Sequence, residues 1–265
     1  MATARQEVDM TMQQALGAAL MVVVMFASAA DTGARAGEAT VAVATNFKTV
    51  ADKLVAEVAA ARRHDIRLVS GSTGKLAAQI MQGAPFDAFL AADTDRPARL
   101  VESGHAVRGS RFTYAVGRLA LWSPDPARVG PEGLSGLNTQ AVGRLAIANP
   151  ELAPYGLAAR QALAHYGLWA ALRPRIVMGQ NIGQAYALVA SGNAPLGLVA
   201  LSQVMGGAAS PGAEWIVPQA AHAPIRQDAV LLAAGADNAA ARAFLRYLRS
   251  AKAAGTIADF GYAGG

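Results

Sequence analysis

From Ala39 onward, short apolar runs alternate with stretches in which apolar residues recur every three or four positions. The runs read as strands buried on both faces, and the stretches as amphipathic helices. Thr40 to Ala44 (TVAVA) is expected as a strand, and Phe47 to Ala61 as a helix with Val50, Leu54, Val55 and Val58 on one face. Strand Ile66 to Val69, helix Lys75 to Met81, strand Asp87 to Ala92 and helix Arg96 to Glu102, closed by Gly104, follow. Phe112 to Val116 and Leu119 to Trp122 are strands separated only by Gly117 and Arg118, and a proline-rich stretch, Ser123 to Pro131, comes next. A second set repeats the alternation: strand Arg144 to Ala148, helix Leu157 to Tyr166, strand Ile176 to Met178, helix Gly183 to Ala190, strand Leu196 to Val199. Trp215 to Pro218 and Ala229 to Ala233 read as returning strands, ahead of helices Asn238 to Arg249 and Ala251 to Phe260.

This order predicts an α/β protein with mainly parallel sheets. There is no tandem repeat of fixed period, but the elements fall into two similar halves. The expected architecture is two three-layer α/β/α lobes joined by a two-strand hinge, with a ligand cleft between them. Residues 37–117 would form the first part of lobe 1, 118–220 lobe 2, and 221–265 the return to lobe 1. Open parallel sheets bind ligands beyond the carboxyl ends of their strands. Four segments fall there: Ala44-Thr45-Asn46, Ser70-Gly71-Ser72-Thr73-Gly74, Ala153-Pro154-Tyr155-Gly156 and Gln180-Asn181-Ile182-Gly183. Each leads into a helix whose first N–H groups lack intrahelical partners and lie at the positive end of the macrodipole, a position suited to an anion. Ser, Thr and Asn are also ordinary N-caps, so one such segment means little, whereas two from each half suggest a clamp.

Composition narrows the chemistry. The chain has 265 residues, 53% hydrophobic and 15% charged, enough apolar material for one large core or two modest ones sharing a cleft. It contains no cysteine, which removes disulfides, thiolate catalysis and thiolate metal sites. Ala15 to Ala27 is an apolar run too short for a comfortable membrane span, and small-x-small triplets follow at Ala27-Ser28-Ala29 and Ala34-Arg35-Ala36. Residues 1–36 therefore read as a cleaved signal peptide, and without a cysteine after it the mature chain is expected free in the periplasm, not lipid-anchored. That segment holds two basic and three acidic residues, so the formal charge of +5 becomes +6 on its removal. The basic residues are scattered, with no run longer than Arg62-Arg63, which argues against nucleic acid.

Enzyme signals are poor. The four histidines are far apart, and His64-Asp65, the one His beside an acid, reads as a surface turn. No G-x-S-x-G elbow occurs. Gly71 to Lys75 resembles part of a phosphate loop, but Val69 replaces its first glycine and Leu76 follows the lysine. Asp87 and Asp93 flank a strand, and Asp93 is expected to cap the next helix. Tyr114, Tyr155 and Tyr186 raise phenolate iron binding, yet there is no adjacent Tyr-Tyr pair, and Tyr166 and Tyr186 fall at apolar helix positions.

At A-T-N-F (Ala44 to Phe47), S-G-S-T-G (Ser70 to Gly74), G-A-P-F-D (Gly83 to Asp87), the run from Gly109 to Ser123 and A-N-P-E-L-A-P-Y-G (Ala148 to Gly156), the chain resembles the molybdate-binding component of bacterial ABC importers. That group lies in the type II periplasmic binding protein class, and the resemblance spans residues 38–262. It implies a non-enzymatic receptor without a cofactor that captures molybdate or tungstate as the intact oxyanion, with no direct protein–metal ligand. The receptor would deliver it as a monomer to an inner-membrane permease with a cytoplasmic ATPase. Carried over residue by residue, the resemblance implies anion contacts from Thr45 and Asn46 in the first loop and Thr73 in the second. Tyr155 and Ile182 would donate backbone N–H groups from the other lobe. Many members have Ser where Thr73 stands, and some have a tyrosine where this chain has Ala200, which leaves the polar shell one donor poorer. A receptor for another tetrahedral oxyanion, sulfate or phosphate, is the alternative. Thr73→Val is expected to weaken binding and leave the unliganded chain nearly as stable.

Overall fold

The structure, a computed structural model, describes residues 37–62, 64–206 and 212–264, so the apolar run and both cleavage triplets lie outside the described residues. The first half runs β1 (Glu38–Ala44), a 3₁₀ turn at Thr45–Phe47, α1 (Lys48–Arg62), β2 (Asp65–Gly71), α2 (Thr73–Met81), β3 (Ala88–Leu90), α3 (Asp95–Glu102) and β4 (Phe112–Gly117). The second runs β5 (Leu119–Ser123), β6 (Leu145–Ala148), α4 (Pro154–His165), α5 (Trp169–Leu172), β7 (Ile176–Gly179), α6 (Ile182–Ala190), β8 (Leu196–Ala200), α7 (Leu201–Gly206) and β9 (Ala213–Ile216). The chain then returns through β10 (Ile225–Leu231), α8 (Ala239–Leu248) and α9 (Ala251–Asp259).

Two five-stranded sheets result, ordered β2-β1-β3-β10-β4 and β7-β6-β8-β5-β9. In the first, β1 pairs in parallel with β2 and β3, and β10 runs antiparallel to β3 and β4. In the second, β6 pairs in parallel with β7 and β8, and β5 runs antiparallel to β8 and β9. Each sheet is thus completed by a strand that has just crossed from the other: β5 after the passage at Arg118, and β10 after the passage at 217–224.

Alternation along the strands explains the layers. Val41 and Val43 of β1 pack on one side of their sheet with Phe47, Leu54 and Phe244, while Ala42 faces the other side with Leu76, Ile80 and Phe89. Leu145 and Ile147 of β6 face a core with Leu163 and Leu172, and Ala146 faces Trp122 and Val189. Strands covered by helices on both faces need apolar residues at every position, which is why TVAVA and LAIA lack polar alternation.

Several local expectations shift. Helix α4 begins at Pro154, three residues before the predicted start, because proline is at home in the first turn, where no N–H is needed. β10 begins at Ile225, not Ala229, since Gln227 and Asp228 are both buried within it. His64 is buried instead of forming a surface turn, and its Nδ1 accepts the Gly37 N–H at 3.3 Å. Asp87 ties strands to α8, accepting from the Thr40 N–H at 2.7 Å and from Asn238 Nδ2 at 3.0 Å. Asp93 caps α3, its Oδ1 accepting the Arg96 N–H at 3.1 Å while its other oxygen pairs with the Arg96 guanidinium.

Candidate functional site

Four parallel strands, β1 and β2 in one lobe and β6 and β7 in the other, end at the same place. A small cavity lies there, lined by all five residues expected to meet the anion: Thr45, Asn46, Thr73, Tyr155 and Ile182. Among the described residues, no charged side chain lines it. Its polarity comes from three helix starts, those of α2, α4 and α6, which place partial positive charge on it from both lobes.

Several first-turn donors are already taken. Ser72 caps α2, with its Oγ accepting the Lys75 N–H at 3.4 Å, and Asn181 caps α6, with its Oδ1 accepting the Gln184 N–H at 3.0 Å. The Gly156 N–H closes on Ala153 O at 2.9 Å, and the Gly74 N–H crosses between lobes to Leu152 O at 3.0 Å. Thr73 is the first residue of α2, Tyr155 follows Pro154 in α4, and Ile182 is the first residue of α6. Helix geometry gives the N–H groups of these three no intrahelical acceptor.

The side chains divide into those free to donate and those occupied. Thr73 Oγ1 accepts the Ala92 N–H at 3.0 Å, which fixes the rotamer and leaves its hydroxyl proton available. Thr45 Oγ1 donates to Gly71 O at 3.0 Å, so its hydroxyl proton braces the two loops of lobe 1. Asn46 is buried and turned into the protein: both Nδ2 hydrogens are used, on Gln227 Oε1 at 2.9 Å and Tyr262 Oη at 3.0 Å. Its carbonyl accepts from Tyr262 Oη at 2.8 Å and Ser202 Oγ at 3.1 Å. For Thr45 and Asn46 the groups left for a ligand are therefore on the backbone.

This buried layer beneath the first loop includes Tyr114, whose hydroxyl lies 3.0 Å from Ala91 O and 3.1 Å from Gln227 Oε1. Burial, reinforced by the neighbouring phenol of Tyr262, pushes the Tyr114 and Tyr155 hydroxyls well above the usual tyrosine range. Burial pushes Tyr262 up to about 12. These phenols are neutral hydrogen-bonding groups at neutral pH. The expectation that Thr73→Val would spare the unliganded fold changes here, since the Ala92 N–H would lose its acceptor.

Sequence reasoning did not find Gln227, Tyr262 or Ser202, which come from segments remote from the four loops. Nor did it find two backbone-accepted contacts at the mouth of the cleft: Gly74 to Leu152 O, and Arg96 Nη2 to Glu151 O at 3.4 Å. A Cβ on Gly74 would stand 2.9 Å from Leu152 O, so this approach depends on glycine.

Two α/β lobes closed over a small uncharged cavity, with backbone donors converging from both, define a bilobal receptor for a small solute. The chain belongs to the bacterial extracellular solute-binding protein family, whose model matches residues 39–263. It is 46% identical over 229 residues to the molybdate-binding protein ModA of Rhodobacter capsulatus, covering 86% of this chain and 89% of that one. The fold is similar to the periplasmic molybdate-binding protein of Azotobacter vinelandii, with a TM-score of 0.80, 41% identity and coverage of 85% of this chain and 98% of that one. The sulfate-binding protein SubI of Mycobacterium tuberculosis shares the fold at 13% identity, with a TM-score of 0.72 over 86% of this chain and 87% of that one. The fold alone thus leaves the ligand open. Relatives of this kind bind solutes and are not enzymes.

Proposed function

We propose that this protein is a periplasmic receptor that captures molybdate or tungstate and delivers it to an inner-membrane ABC importer. The observation that carries the reading is the cavity itself: donors and helix starts from both lobes, with no charged side chain among its described lining residues. A fully ionised tetrahedral anion suits a site built of N–H and O–H donors. The choice of molybdate is supported by the Rhodobacter and Azotobacter relatives, whose names state that ligand.

In this reading the anion receives the backbone N–H groups of Thr45 and Asn46, the N–H and hydroxyl of Thr73, and the N–H groups of Tyr155 and Ile182. The anion docks on one lobe, the other rotates in, and the closed form is recognised by the permease. The lobes divide at 37–117, 118–220 and 221–265. The chain acts as a monomer after residues 1–36 are removed as a signal peptide. Among the described residues no helix is long and apolar enough to cross a membrane. Thermal-shift titration with molybdate, tungstate, sulfate and phosphate tests the ligand. Stabilisation of about 2.7 kcal/mol is expected at a hundred times the Kd. A shift with sulfate or phosphate and none with molybdate or tungstate would overturn the assignment.

A further inference from the structure

Tyr155 is anchored at both ends, and the two ends serve different lobes. Its backbone lies in the first turn of α4, at the cavity, while its ring is 1% exposed and its hydroxyl is reached by Gln227 Nε2 of β10 at 3.4 Å. Gln227 is fully buried, beside a register shift between Gln227 and Asp228 where β10 pairs with β4. Such an irregularity re-aims side chains, and here two consecutive polar residues are buried. The Asp228 carboxylate is held by Thr113 and Arg111, each at 2.7 Å, while the Gln227 carboxamide points to the site. Its Oε1 accepts from Asn46 Nδ2 at 2.9 Å, so one amide touches the first anion loop of lobe 1 and the Tyr155 ring of lobe 2. Gly117, the last residue of β4, completes the seat: a Cβ there would collide with the Tyr155 hydroxyl and lie 2.7 Å from Gln227 Nε2.

We infer that Gln227 is a positioning residue that couples lobe closure to anion capture, receiving the Tyr155 hydroxyl over Gly117 as the Tyr155 N–H arrives at the ligand. The inference rests on the oxyanion-receptor reading. Opening the cleft withdraws Tyr155 from this seat, whereas the other partners of Gln227 stay in lobe 1. Of those partners, the Tyr114 hydroxyl keeps Ala91 O at 3.0 Å, while Asn46 Nδ2 keeps Tyr262 Oη at 3.0 Å for one hydrogen and loses the acceptor of the other. Removing the amide therefore strips the bond between the lobes together with one buried bond within lobe 1, whereas Tyr155→Phe removes the first alone.

The test measures molybdate association and dissociation rates for the wild type, Gln227→Met, Tyr155→Phe, their double variant and Gly117→Ala, with unliganded melting temperatures alongside. Each of the first two is expected to speed dissociation about two- to tenfold with association little changed, the loss of one neutral hydrogen bond from the closed form. The double variant should dissociate no faster than the faster single variant, because both remove the same bond. Gly117→Ala should lose more affinity than either, since it fills the seat, and should melt somewhat below the wild type without ligand, because its Cβ also presses on Gln227 Nε2 within lobe 1. If Gln227→Met fails to fold, Tyr155→Phe and Gly117→Ala carry the test between them. A wild type that ignores molybdate and tungstate would overturn the receptor reading. A wild type that binds, with unchanged dissociation in the variants or with effects that multiply in the double variant, would overturn this coupling alone.

Discussion

Thr73→Val isolates one donor of the proposed anion shell at nearly constant shape. The hydroxyl does two things: it accepts the Ala92 N–H at 3.0 Å in the fold, and it is free to donate to a ligand. A hydrogen bond to a charged group contributes about 1.5–3 kcal/mol, so losing the donation should raise the molybdate Kd roughly 10- to 140-fold. The Ala92 N–H, beside a residue 1% exposed, loses its acceptor whether or not ligand is present, which costs the unliganded fold about 1–3 kcal/mol. Thr73→Ser keeps both functions and should restore affinity to near the wild-type value. Isothermal titration reads the first effect and urea unfolding without ligand the second. A Thr73→Val variant that binds as tightly as the wild type would place the anion away from the start of α2. One that loses affinity with no loss of unliganded stability would show that the Ala92 N–H finds another acceptor.

Gly74→Ala should separate closure from stability: its Cβ would press on Leu152 O at 2.9 Å only while the lobes are together. Molybdate affinity is expected to fall at least about tenfold, while the unliganded melting temperature holds or rises slightly, alanine being the better helix former by up to about 1 kcal/mol. Unchanged affinity would mean that the closed approach is dispensable. The lining of the cavity carries no group that titrates between about pH 6 and 9, so molybdate affinity should be flat over that range, read by titration at several pH values. At alkaline pH, stability should fall. Burial pushes the Tyr262 phenol up to about 12 from its ordinary 10.0, so the folded chain holds that proton after the unfolded chain has released it. Its contribution is complete below about pH 10 and is lost as pH rises towards 12, at most about 3 kcal/mol, two pH units at 1.36 kcal/mol each. Melting curves followed with tyrosinate absorbance check this, and a melting temperature that stays flat from pH 10 to 12 would refute it.

The α/β class, most strands and helices and the four loops that line the cavity were legible in the chain because each depends on local pattern. VAVA in β1 and LAIA in β6 are apolar at every position since helices cover both faces of their sheets, and the small polar residues of S-G-S-T-G and Q-N-I-G mark strand-to-helix switches. Which groups in those loops remain free was decided only by the tertiary structure. Thr45 and Asn46 carry suitable side chains, but Gly71 O, Gln227 and Tyr262 claim them, and two of these partners lie more than 150 positions away along the chain. Gln227 and Asp228 hid the first half of β10 from a hydropathy reading, because a buried strand with two satisfied polar residues looks like a loop until their partners are in place. Contact across the cleft is likewise invisible locally: Leu152 O meets the Gly74 N–H only once the chain has crossed between lobes, and the Tyr155 hydroxyl meets Gln227 only once it has crossed back. Hydrophobic periodicity and helix-start chemistry are properties of neighbouring residues, so the sequence by itself determined most of the elements and the loops that come to line the cavity. Hydrogen-bond satisfaction and lobe closure are properties of residues far apart in the chain, and those only the folded molecule decided.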